Sequence, residues 1–225
     1  MFKPGRLALA RMRRRYTARL LAEEADVSPV TLSRIENSKQ EPDDETVEKL
    51  VRVLRYPRQF FFMPDIDGID VQAASFRSLT AMSARERDAA LASGAIALEL
   101  VDWVSARFHL PTPDLLDIEY QTEPTAAARA LRQYWAMGER PVGHLIKLLE
   151  SKGVRVFALA ENTRNVDAFS YWRNGEPFIF LNTMKTPNAV VLMRLMNWGT
   201  SFCTDMADHM DATRSTKRTC SPAHF

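Results

Sequence analysis

Ala18-Arg-Leu-Leu-Ala-Glu-Glu-Ala-Asp-Val-Ser28-Pro-Val-Thr-Leu-Ser-Arg-Ile-Glu-Asn37 is the stretch from which the fold of this chain is read. Leu21, Ala22 and Ala25 recur at helical spacing, Val27 sits in a turn, and Leu32 and Ile35 recur three apart. Two helices joined by a tight turn therefore share one small core. Ala22 is small where the two helices must approach closely, and Asp26 stands where the turn needs a residue able to enter the left-handed region. Ser28 is placed to cap the second helix, with Pro29 at the first helical position, where its missing N–H costs nothing. What the core leaves over is a face carrying Pro29, Val30, Ser33 and Arg34, which a helix laid in the major groove would present to base edges. The pattern predicts a helix-turn-helix and binding of double-stranded DNA.

Charge points the same way. Up to Leu21 the chain carries Lys3, Arg6, Arg11, Arg13, Arg14, Arg15 and Arg19 and no acidic residue, a basic arm and first helix suited to phosphates. The sign then reverses at Glu23, Glu24 and the run Asp43 to Glu45, so basicity is confined to one region of a chain whose net charge is only +2. An arginine run alone is ordinarily a solvated helix face; beside a helix-turn-helix it reads as a phosphate-binding surface. The expected DNA contacts are Thr17, Ser28, Pro29, Val30, Thr31, Ser33, Arg34, Arg13, Arg14 and Lys39.

From about Arg6 to about Phe62 the chain resembles the Cro/C1-type (Xre) helix-turn-helix family. Arg6-Leu7 with Ala10-Arg11 looks like that family's first helix, Thr17 the cap on its second, Ser28 to Glu36 its recognition helix, and Glu41-Pro42 the opening of its fourth. Three positions depart from the pattern. Ala18 stands where the family usually has a phosphate-contacting Gln, Asp26 replaces the turn Gly, and Ser38 replaces the Gly that ends the recognition helix, a task left to Asn37. The resemblance implies an all-α, five-helix, lambda-repressor-like domain that binds a pseudo-palindromic operator as a homodimer.

At 225 residues, a prior of one domain per roughly 150 residues allows one or two, and 46% hydrophobic with 26% charged residues is ordinary globular composition. Ala95 to Val104, the most apolar stretch, is broken by Glu99 and Asp102, and no secretory signal opens the sequence, so no membrane association and a cytoplasmic location are expected. Cys203 and Cys220 are too few and too far apart for a zinc ribbon or a disulfide framework.

Beyond the first domain, Thr46 to Leu54 and Pro57 to Phe61 complete its helices, and Met63 to Gly68 marks a boundary. Ser83-Ala-Arg-Glu86 is a capping box opening a long helix to about Phe108, whose apolar positions Leu91, Ile96, Leu98, Val101, Trp103 and Val104 are expected to face a core. Helices from Pro124 to Trp135 and from Pro141 to Ser151 follow, the latter ended by Gly153. Val154 to Leu159, Ala168 to Arg173 and Pro177 to Leu181 read as strands, the last two joined by Asn174-Gly175, the strongest short hairpin signal. The fold class is α+β: a helix-turn-helix domain at 1–65, then a helical segment with a small antiparallel sheet at 66–187.

Gly153-Val-Arg-Val-Phe157, Asp167-Ala-Phe-Ser170 and Pro177 to Asn182, leading to Lys185-Thr-Pro187, look like the front half of an ImmA/IrrE-type metallopeptidase, a zincin-like domain. That family continues into a helix bearing His-Glu-x-x-His, two histidines one turn apart for Zn²⁺ and a Glu to activate water. The motif is absent: His109, His144, His209 and His224 include no pair four apart. Back-translating Met196-Asn197-Trp198-Gly199-Thr200 and regrouping from the last base of the methionine codon forces Glu-Leu-Gly, with flanking codons that permit His on both sides. The same shift over Lys217 to Phe225 permits Glu-Ala-Asp-x-Phe-Ala-Ser-Ala-Phe, which resembles the family's next motif helix.

Residues 188–225 are therefore expected to be an out-of-frame tail behind a frameshift near Pro187, leaving an incomplete domain without catalysis, metal or cofactor. The apolar sheet face of Phe157, Phe169, Phe178 and Phe180 is then expected to be only partly covered. The leading expectation is a DNA-binding transcriptional regulator, a repressor, whose second domain is a catalytically dead remnant. An antitoxin-like or ligand-sensing interaction protein, answering to a small-molecule or protein effector, uses the same DNA-binding unit. An active zinc metallopeptidase is disfavoured by the missing motif.

Overall fold

A computed structural model describes residues 1–76, 82–116, 124–138, 143–159 and 168–182. The expected out-of-frame tail at 188–225, with Cys203, Cys220, His209 and His224, lies outside the described residues, as does Lys185-Thr-Pro187. The chain forms two compact units, Met1–Leu110 with parts of the sheet strands in the first, and Pro111–Val156 with Phe169–Ile179 in the second.

The first unit opens with four helices, α1 (Pro4–Arg13), α2 (Ala18–Glu24), α3 (Pro29–Glu36) and α4 (Asp44–Leu54), followed by a short 3₁₀ helix (Arg58–Phe62). Their starts are set locally. Thr17 accepts the Leu20 N–H, Ser28 the Thr31 N–H and Asp43 the Thr46 N–H, caps typically worth about 1 kcal/mol each. The fourth helix thus begins at Asp44, two residues beyond the expected Glu41-Pro42 opening, because Asp43 supplies the cap. Arg15, Asp26, Ser38 and Arg55 all take positive φ in the connections that follow these helices. Asp26, at φ 50°, occupies the left-handed turn position its place in the sequence implied. Asn37 does not take over the role of the absent glycine: it keeps φ −92° and its side-chain amide donates to the Ser33 carbonyl, while Ser38 itself turns left-handed at φ 57°.

Leu7, Ala10, Leu21, Ala22, Leu32, Ile35, Leu50, Leu54 and Phe61 are wholly buried and form the core between these helices. Phe2 stacks on Phe61 at 5.9 Å, and the Lys3 N–H donates to the Phe61 carbonyl at 2.8 Å, closing the N-terminus onto the 3₁₀ helix. The same core takes in Ala92 and Ala95 of the next helix, α5 (Ala84–Ser105), which packs against α1. Small side chains let the two backbones approach. The capping box at its start is complete, with Ser83 accepting from the Glu86 N–H and Glu86 accepting from the Ser83 N–H. Leu91, Leu98 and Val101 face inward as expected, but Trp103 is 53% exposed. At about 100° per residue Trp103 lies roughly 140° around the helix from Leu98, on the side of Leu100 and Arg107.

In the second unit, α6 (Pro124–Tyr134) matches the expected helix, whereas α7 (Leu145–Ser151) begins later than the expected Pro141, because His144, at φ −135°, stands outside the helix as its N-cap and Gly143 before it is a bend. Gly153 follows α7 at φ +78°, where a Cβ would fall 2.4 Å from the Thr112 carbonyl, so glycine is required twice over. Asp114 ties this region together: its carboxylate accepts from Lys152 Nζ at 2.6 Å and from the Tyr134 hydroxyl at 2.7 Å, and its carbonyl accepts from the Trp135 indole.

The four strands, β1 (Ala74–Phe76), β2 (Arg155–Leu159), β3 (Ala168–Arg173) and β4 (Glu176–Asn182), form one sheet in the order β1-β3-β4-β2. Asn174 and Gly175 join β3 to β4 with positive φ at both positions, the conformation a two-residue hairpin turn favours. β1 is only three residues long, too short for alternation to announce it. Phe178, Ile179 and Phe180 are consecutive and at most 1% exposed, so both faces of β4 are covered. The expectation of a partly open face is corrected accordingly: Phe169 of β3 and Phe178 and Phe180 of β4 are buried, and of these four rings only Phe157 is half-buried, stacked on Phe180 at 5.7 Å. The architecture is α+β, helices with one small sheet. No described helix is long and apolar enough to cross a membrane.

Candidate nucleic-acid interface

Two buried residues fix the orientation of α3. Leu32 and Ile35 are wholly buried, and the opposite side of so short a helix must then face out. Pro29, Val30, Ser33 and Arg34 are all exposed, and Val30 is 61% exposed. Thr31 is half-buried, and its hydroxyl lies 2.7 Å from the hydroxyl of the capping Ser28. The Arg34 guanidinium makes no ion pair among the described residues, and Lys39 beyond the helix end is exposed, its N–H donating to the Arg34 carbonyl at 2.8 Å. Thr17 is half-buried at the cap of α2.

The basic residues of the N-terminal run divide by role. Arg11 holds α3 in place: its Nε lies 2.6 Å from Glu36 Oε1, its Nη2 3.3 Å from Oε2, and its Nη1 donates to the Tyr16 carbonyl. Arg6 is 1% exposed and bound to Glu99, so neither of these two is a free cation. Arg14 donates to the Leu54 carbonyl at 2.9 Å and lies over the Tyr56 ring at 5.3 Å, completing the end of α4. Arg13 and Arg15 are half-buried and also engaged with neighbours. Counting basic residues found the region, but not which are spent inside it. The Arg11–Glu36 pair is separated by 25 residues, and no local spacing signals it.

The acidic stretch at the start of α4 is offset by two cations. Lys49 lies 3.2 Å from Glu45 and 3.3 Å from Asp26, and hydrogen bonds to Glu45 first and Asp26 second hold its ammonium above the ordinary lysine range. Arg58 pairs with Glu48 at 2.8 Å and with Asp44. Hydrogen bonds from Thr46, first its side chain and then its N–H, hold Asp43 below the usual carboxylate range and keep it an anionic cap. A polar cavity of about 340 Å³, lined by Arg14, Tyr16, Glu24, Arg52, Val53 and Arg55, borders the end of α4 and takes no residue from α3. His109 and His144 are exposed, and among the described residues no three His, Cys, Asp or Glu side chains are grouped to hold a metal ion.

A family model described as Helix-turn-helix matches residues 7–61, the span from α1 to the 3₁₀ helix. That segment carries a helix-turn-helix domain. No curated protein and no solved structure matches the chain.

Proposed function

We propose that the chain is a sequence-specific transcriptional regulator, a repressor that binds a pseudo-palindromic operator as a homodimer. The observation that carries this reading is the division of α3, with Leu32 and Ile35 in the core and Val30, Ser33 and Arg34 presented outward. An apolar patch, a hydroxyl and a guanidinium on one face are the groups that read base edges. Selection from a pool of random duplexes, followed by competition against unselected DNA, tests it. A regulator enriches a palindromic sequence and binds it at least a thousandfold more tightly than random DNA, within the usual range of specific over nonspecific affinity.

In the same proposal residues 66–187 are a catalytically inert remnant of an ImmA/IrrE-type domain and the chain is not an enzyme, the supporting feature being the missing His-Glu-x-x-His. A one-nucleotide loss near the Pro187 codon accounts for the absence, and the sequence of the coding DNA tests it. A second reading, an antitoxin-like or ligand-sensing protein, is favoured by Leu100, Trp103 and Phe108, each more than half exposed at the end of α5. Co-purification of a stoichiometric partner distinguishes it.

A further inference from the structure

The outward face of α3 is chemically uneven, and its unevenness names what it reads. Val30, Ser33 and Arg34 stand at positions i, i+3 and i+4 and so share one side of the helix. Val30 contributes nothing to the core at 61% exposure, and a β-branched residue is a poorer helix former than the alanine or leucine that could replace it. Its place is explained by a contact outside the domain. The Ser33 hydroxyl oxygen lies 3.4 Å from the Asn37 amide nitrogen that donates to it, which leaves the hydroxyl proton to be donated outward. Arg34 keeps its guanidinium fork free of ion pairs among the described residues.

In the major groove a small apolar surface is matched by the thymine 5-methyl group, and a guanidinium fork by O6 and N7 of guanine. Residues four apart on a helix are separated by about 6 Å along its axis, against about 3.4 Å between successive bases of a strand. Resting on the regulator reading above, we propose that Val30 reads a thymine methyl one or two base pairs from a guanine read by Arg34, so that each operator half-site carries this pair.

The experiment starts from the duplex that the full chain selects out of a random pool and replaces each thymine of one half-site in turn by deoxyuridine, which removes only the methyl. One position should weaken binding by about fourfold, the value of one buried methyl group. Val30→Ala, at an exposed site where folding is preserved, should abolish that sensitivity, binding thymine and deoxyuridine duplexes equally. Arg34→Ala should retain it while losing the preference for the neighbouring guanine. If every deoxyuridine duplex binds the unaltered chain as well as the thymine duplex, or if Val30→Ala keeps the same loss, the inference is overturned and the regulator reading stands. If no duplex is enriched from the pool, the regulator reading itself fails and the inference goes with it.

Discussion

Arg6 and Glu99 meet in a two-point ion pair, Nη2 2.6 Å from Oε1 and Nη1 2.9 Å from Oε2, across a sequence separation of 93 residues. Arg6 is 1% exposed, its Nε donates to the Pro64 carbonyl at 2.6 Å, and its guanidinium lies over the Phe60 ring at 5.0 Å. The pair fastens α5 onto α1 beside the contact of Ala92 and Ala95 with the helix-turn-helix core. Burying a guanidinium is tolerable only while its partner is present. Glu99→Ala should therefore destabilise the first unit by about 3 kcal/mol, because it leaves an unpaired buried charge. The double replacement Arg6→Met with Glu99→Leu should cost less than this single change. Urea denaturation of the three chains checks the order.

Arg34→Ala should cost about 1–3 kcal/mol on the selected duplex and much less on random DNA, as befits a base contact. Competition titrations of the two chains measure both. An equal loss on specific and random DNA would make Arg34 a phosphate contact.

Lys39→Ala should lower the slope of log affinity against log salt by about one unit, with little change in sequence preference. Arg14→Ala should act differently, lowering thermal stability as well, because Arg14 donates to the Leu54 carbonyl at the end of α4. Binding across a salt series, paired with melting curves, separates the two effects.

Asp114 should give the second unit an acid limb. Hydrogen bonds from Lys152 first and Tyr134 second hold its carboxyl below the ordinary value of 3.8, and the same contact raises the Tyr134 phenol. A carboxyl with a lowered folded-state pKa stabilises the fold above its unfolded value and loses that contribution as pH falls through the folded one. The melting temperature of the unaltered chain should exceed that of Asp114→Asn at neutral pH, and the gap should close below about pH 4. A gap unchanged between neutral pH and pH 3 would show that the charge is immaterial.

The present chain should bind no stoichiometric zinc, whereas restoring one nucleotide near the Pro187 codon should create His-Glu-x-x-His and binding of about one Zn²⁺ per chain. Zinc binding to the native state should also raise the melting temperature. Asp, Asn or Tyr at either histidine codon in the coding DNA would sink the frameshift proposal.

The sequence alone determined what depends on neighbours along the chain. Ser28-Pro29 set the start of α3, Ser83 and Glu86 the start of α5, Asp26 the left-handed turn, and Asn174-Gly175 the hairpin, because caps and turns are made within a few residues. The outward face of α3 was equally legible, since Leu32 and Ile35 fix it by helical period. Tertiary structure decided the rest. Arg6 and Arg11 read as phosphate cations until Glu99 and Glu36 came within 2.6 Å of them, and Trp103 read as core until α5 buried its alanine face instead. Whether a charge is spent internally or an apolar side chain is covered depends on which distant element packs beside it, and that is set by the summed burial of the whole unit.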